Sequence, residues 1–231
     1  MLSVNKTRPK SRILAYISTF AAFNAVAEII PFTPILGIPG ASFRLDWVSS
    51  TLTGILLGPR MGGVSCLLGG LLGLLLGQVQ FFGIFAPLRP AVSAFIAGML
   101  MSRNWRIPAI TLLSLILLWV LMPTGRAAAV ILVFHIVGLT LVLFLRKKIG
   151  ELAEADSPRK NLYGLFIVSY CGNISRHLLG NILLVTIYNL EFVYFIAAMP
   201  ITLIEQLSFA MGTTVVGIAL KHARVTYLLN R

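Results

Sequence analysis

Negative charge is nearly missing from this chain: seven aspartates and glutamates stand against 19 lysines and arginines in 231 residues, a formal net charge of +12. Charged residues of both signs make up only 11% of the sequence, where a water-facing domain carries about 25%. A soluble surface of this size is thereby excluded. The positive excess does not read as a nucleic-acid face, because no basic stripe is interleaved with exposed aromatics. Cysteine is equally scarce. Cys66 and Cys171 both lie in apolar stretches, without the spacing of a disulfide or a metal site. Also missing are HExxH, a GxSxG-type serine motif and an acidic cluster for a divalent cation, so no enzyme activity, metal or cofactor is expected. No filter sequence marks a channel, and no GxxxxGK[ST] loop binds ATP.

What remains is mostly oil: 58% of residues are hydrophobic, and the mean hydropathy is +0.91. A helix rises about 1.5 Å per residue and needs roughly 20 residues to cross about 30 Å of hydrocarbon. By that measure the candidate spans are 13–30, 43–58, 61–79, 88–102, 107–122, 127–145, 162–188 and 192–220. The segments 43–58 and 88–102 are short, and a tilted, kinked or re-entrant path there requires cover from other helices. The expected fold class is all-α, a polytopic integral membrane helical bundle of about eight segments. It forms a single transmembrane domain over 1–231, with a basic N-terminal tail at 1–12 and a polar connector at 146–161. The tail resembles a signal-peptide start, but the apolar run continues to Ile30 without a small-residue cleavage site, so it reads as a retained first helix.

Charge placement orients the bundle. With the N-terminus inside, every lysine and arginine falls on the inner side except Arg44, Arg89 and Arg126 outside and Arg176 within a span. Basic loops stay cytoplasmic, so the expectation is a multi-pass protein of the plasma membrane with both termini in the cytoplasm.

Several features inside the spans invite function. Gly69, Gly73 and Gly77 recur every four residues on one helix face, a pattern that packs helices closely within a bundle or at a subunit interface. The first span has a similar stripe, Ala15, Ser18 and Ala22, with Ala21 and Ala25 beside it. The polar anomaly is 170–181, YCGNISRHLLGN. Asn173, His177 and Asn181 are spaced four apart and share a face. Arg176 at that depth costs about 2.5–3.5 kcal/mol on insertion scales and needs a partner. Glu205, at similar depth in the last span, is the expected one, giving an intramembrane Arg176–Glu205 ion pair. Glu28, Asp46 and His135 lie toward the outer face, where the carboxylates read as solvated helix ends. The outer loop PFTPILGIPGASFRLD is too apolar to hang free and is expected to fold back over the bundle.

Taken in order, the residues resemble the substrate-binding S component of an energy-coupling factor (ECF) type vitamin transporter. The resemblance rests on a basic N-terminus and alanine-rich first helix, the exit Glu28–Pro31, the FRLDWV run Phe43–Val48 and the turn Gly54–Gly63. It continues in PAVSAFIAGML (Pro90–Leu100) and in the two C-terminal segments. Such proteins have six helices, so 107–145 stands as an extra hairpin on a six-helix S-component-like core. The resemblance implies a subunit that captures a vitamin or similar micronutrient from outside. It would then dock on a membrane T component carrying two ATP-binding-cassette ATPases. It implies docking through Ala15, Ser18, Ala21, Ala22 and Ala25, and substrate binding by Asn173, His177, Asn181 and Tyr194, with Arg89, Arg44 and Phe43 near the mouth. The three outer arginines would suit an anionic ligand. The alternative is a stand-alone, proton-coupled secondary transporter using Arg176, His177 and Glu205.

Overall fold

A computed structural model describes residues 10–34, 42–76 and 82–223. Gly77 of the glycine stripe, the loop tip at 35–41 and the basic residues of both termini, among them Lys6, Arg8, Arg224 and Arg231, lie outside the described residues. The fold is all-α apart from one small hairpin. In chain order come α1 (Lys10–Ala27), β1 (Pro31–Pro34), β2 (Ser42–Arg44), α2 (Asp46–Leu57), α3 (Pro59–Leu75) and α4 (Leu88–Met101). There follow α5 (Arg106–Leu121), α6 (Pro123–Ala127), α7 (Leu132–Leu145), α8 (Lys148–Glu154), α9 (Pro158–Tyr188) and α10 (Phe192–His222). Each of the eight apolar segments coincides with a helix.

Among the described residues, two helical stretches are long and apolar enough to cross a membrane, Gly83–Met101 and Phe192–His222. A third is reached only if Ala129–Leu145 and Lys148–Glu154, joined through an 88° bend, count as one span. The helices α3 and α5 are apolar but shorter. Although α9 is 31 residues long, its Asn, Arg and His content keeps it out of this group.

The chain breaks where local chemistry demands it. Between α2 and α3, Gly58 takes φ +79° and Pro59 follows at the first helical position, where its missing N–H costs nothing. Asn189 closes α9 in the left-handed conformation, its N–H donating to the Val185 carbonyl at 2.9 Å.

Two central helices organise the packing. α4 lies against α2, α3 and α9, while α9 also touches α5, α7, α8 and α10. The main apolar core (Ile96, Leu100, Leu112, Val142, Val168 and Ile174) fills the space between α4, α5, α7 and α9. A second cluster around Trp119, Leu178 and Phe195 lies toward the α9–α10 turn. Backbones come close enough to exclude side chains at several crossings. A Cβ on Gly54 would sit 2.0 Å from the Ala94 carbonyl oxygen, and one on Gly98 would sit 2.4 Å from the Pro59 nitrogen. On the α3 stripe, Gly69 and Gly73 are buried, and a Cβ on Gly69 would lie 2.8 Å from the Ala21 carbonyl oxygen of α1. The stripe therefore packs α3 on α1.

The connector 146–161 is more than a loop. It contains α8, whose Ile149, Gly150 and Ala153 are buried. Arg103 pairs with Glu154 at 2.9 Å, and the Lys221 ammonium donates to the carbonyls of Glu154 and Ala155.

Gly54→Leu, which pushes a side chain into the α4 backbone, should lower stability by at least about 2 kcal/mol. Gly63→Ala, whose Cβ would meet nothing nearer than 3.7 Å, should stay within about 0.5 kcal/mol. Thermal unfolding of the detergent-purified protein checks both.

Candidate functional site: a cavity under the outer hairpin

The strand pair β1–β2 is antiparallel, with Pro31 opposite Arg44 and Pro34 opposite Ser42. It folds back onto the bundle, as its apolar composition requires. The Phe32 ring lies 5.1 Å from that of Phe209 on α10, and the Phe43 ring 5.2 Å from that of Trp47 on α2. The Thr33 hydroxyl donates to Oε1 of Glu205. Beneath the hairpin is a small cavity of about 50 Å³, partly open to the outside.

Its walls bring together much of what the sequence singles out. Phe43, His177, Asn181, Tyr194, Thr202 and Glu205 line it, joining β2, α9 and α10. The extra segment 107–145 contributes Ile131 and Phe134. Most of the remaining lining is aliphatic or aromatic. One wall carries Pro200 inside α10, which cannot donate the helical bond to the Ile196 carbonyl.

Other expected residues lie elsewhere. Asn173 is fully buried between α2, α4 and α9, where Ser93, Thr51 and Asn173 are linked by hydrogen bonds of 2.7 Å. A matching pair ties α1 to α2: Asn24 donates to Thr53 at 2.9 Å and accepts from Ser49 at 2.7 Å. Side-chain hydrogen bonds of this kind hold helices together in a low-dielectric interior. Arg44 donates to the Glu28 carbonyl. Arg89 is buried, its guanidinium 4.0 Å from the Phe82 ring and 5.4 Å from the Trp47 ring. Neither arginine belongs to the cavity lining.

The ion pair differs from the sequence expectation. Arg176 pairs with Asp46, not with Glu205. Its Nη1 also donates to the Asp46 carbonyl at 3.0 Å and to Ser50 Oγ at 3.1 Å, and its guanidinium stacks 4.4 Å from Trp47. The reason is position on the helix. Consecutive residues point about 100° apart, so Arg176 turns toward α2 while His177 faces the cavity. Asp46, expected to be a solvated helix end, is 4% exposed. Glu205 is engaged by Thr33 instead.

The stripes on α1 are also divided. Ala21 and Ala25 are buried, the first against Gly69 of α3, whereas Ala15, Ser18 and Ala22 stay exposed. The docking face implied by the resemblance is thereby reduced to Ala15, Ser18 and Ala22.

Two contacts at the site were not read from the sequence. Thr33 has no local feature that points to Glu205. His135 of α7 sits fully buried with its ring stacked on His177, centroids 5.4 Å apart and planes within 13°.

No protein-family model and no solved structure matches the chain. It is similar to an uncharacterized protein of Methanocaldococcus jannaschii, 28% identical over 209 residues that cover 89% of this chain and 70% of that protein. That likeness carries no function with it.

The Arg176–Asp46 pair makes a testable demand. Removing either charge alone should cost about 3–5 kcal/mol, because the other is left buried and unpaired. In a double-mutant cycle, Asp46→Leu and Arg176→Met should couple by more than about 1 kcal/mol, while Arg176→Met and Glu205→Gln should be additive. The reverse order would restore Glu205 as the partner.

Proposed function

We propose that this chain is a multi-pass plasma-membrane protein acting as the substrate-binding S component of an ECF-type importer. It captures a micronutrient from outside and hands it to a T component with two ATPases. The observation that carries the reading is the cavity beneath the β1–β2 hairpin. There the residues implied by the resemblance (Phe43, His177, Asn181 and Tyr194) converge from separate elements on one cavity.

The outer surface supports a bilayer environment. Leu14, Leu75, Leu121 and Phe144, on four different helices, are each at least 65% exposed, as side chains facing acyl chains would be. The short helices α2 and α4 are mostly buried, which suits segments shielded by their neighbours. On α1, the Ala15, Ser18 and Ala22 face is open and smooth enough for another helix to approach. Energy would come from the partners, since the chain has no phosphate-binding loop. The proton-coupled alternative draws less support, because Arg176 is engaged by Asp46 and stands apart from Glu205.

A mild-detergent pull-down from the native organism, read by mass spectrometry, tests the reading. Recovery of one membrane subunit with ATP-binding-cassette ATPases is expected. Ala22→Trp should abolish that recovery without lowering the yield of folded protein. An intact, abundant protein that brings down no ATPase would remove the importer reading.

A further inference from the structure

The hydrogen-bond polarity of the cavity wall is set by a chain of contacts that begins outside it. The carbonyl of Ile131 can only accept, so His135 Nδ1, 3.1 Å away, carries the proton. A neutral imidazole then has a bare lone pair on Nε2. His177 Nδ1 lies 3.3 Å from that atom, so His177 must be the donor there. Its own Nε2 is left as an acceptor, with no hydrogen-bond partner among the described residues, on a ring that lines the cavity. The Asn181 amide nitrogen stands 3.5 Å from the same Nδ1, and with that atom protonated the amide has to be turned over. Its oxygen belongs on that side, an assignment that network logic has to make for any amide.

The second polar fixture is Glu205. Oε1 is taken by Thr33, and Oε2 has no hydrogen-bond partner among the described residues. No cation opposes it in the wall. Arg44 is turned to the Glu28 carbonyl, Arg126 to the Leu121 carbonyl at 3.1 Å, Arg176 to Asp46, and Arg89 to the rings of Phe82 and Trp47. The outer arginines therefore do not make the cavity basic, as their number along the sequence implied.

We infer that the cavity takes a small, largely apolar or aromatic molecule that donates N–H hydrogen bonds, neutral or cationic, through His177 Nε2 and the Glu205 carboxylate, and rejects an anion. The inference rests on the proposed role in substrate binding and names the substrate class for the same site. An anion would face two acceptors, one of them a carboxylate, in a wall of Phe43, Phe134 and Phe195 where unpaired charge is costly. An amidine, aminopyrimidine or protonated amine meets both acceptors with donors and lays its flat face on the aromatic rings. His135 touches no ligand and serves as a positioning residue, holding His177 in the tautomer that accepts.

Two probes of the same shape and opposite polarity decide the matter. Purified chain in detergent is titrated with benzamidinium chloride and with sodium benzoate, followed by tryptophan fluorescence and melting temperature. Benzamidinium should bind at least tenfold tighter than benzoate. Glu205→Gln and His177→Phe should each weaken benzamidinium at least tenfold, while Arg126→Ala leaves it unchanged. His135→Phe should weaken benzamidinium by a smaller factor with Glu205 intact, so a poorly folding His177 variant does not remove the test. Benzoate binding as tightly as benzamidinium, no saturable binding of either at millimolar concentration, or indifference of benzamidinium to Glu205→Gln overturns the inference. The pull-down separates the two ideas. Lost ATPase partners with the probe preference intact would remove the importer and leave the cavity chemistry standing, and the opposite pattern would do the reverse.

Discussion

A guanidinium sits in the interior of this protein, and the pairing of that charge organises the structure around it. Arg176 belongs to α9, and its carboxylate, carbonyl and hydroxyl partners all belong to the first turns of α2. Holding those groups together fixes how α2 crosses α9 and how deep the start of α2 lies. Trp47, next to Asp46, is thereby presented flat to Arg176, with Phe209 stacked on it at 5.3 Å and 18°. Phe43 then rests its ring edge-on against Trp47, and the hairpin that roofs the cavity is seated. One buried charge pair thus reaches, through two aromatic contacts, a site to which neither charge belongs.

Around that anchor the helices meet in two ways. Where backbones nearly touch, as at Gly54 with Ala94 and Gly98 with Pro59, dispersion does the work and no side chain intervenes. Beside these contacts, serines and threonines of α2 bond to Asn24 of α1, Ser93 of α4 and Asn173 of α9. These bonds matter because an unmade one in a dry interior leaves a polar group stranded. An apolar helix of the same length would bind its neighbours with far less choice of register.

The eight long and middle-sized helices were legible because a run of apolar residues bounded by Gly, Pro or charge has little else to become. Their ends shift by a few residues at most, as at α1 and α3. What lies between them was harder. α8 is seven residues of mixed polarity, and only its docking under α9 reveals that it folds. At the candidate site, spacing of four correctly grouped His177 with Asn181, but it also swept in Asn173, a turn deeper, whose oxygen is taken by Thr51 of α2. The partner of Arg176 was misread on two counts. Position along a helix says nothing about which way a side chain faces, and Asp46, at the start of α2, reads as a solvated end although the fold buries it against α9. The same limit split the alanines of α1, adjacent residues of identical chemistry that look in different directions.

The two longest helices carry a consequence of their own. At about 1.5 Å per residue, the 31 residues of α9 and of α10 each extend roughly 46 Å, well beyond the hydrocarbon depth of a bilayer. Under the membrane reading proposed above, that excess length is taken up by tilt or by protrusion. The turn at Asn189 that joins them is polar and stands at one end of that excess. The cavity mouth beside it would then open among headgroups and water instead of acyl chains. Its ligand would arrive dissolved, and the bilayer would play no part in concentrating it.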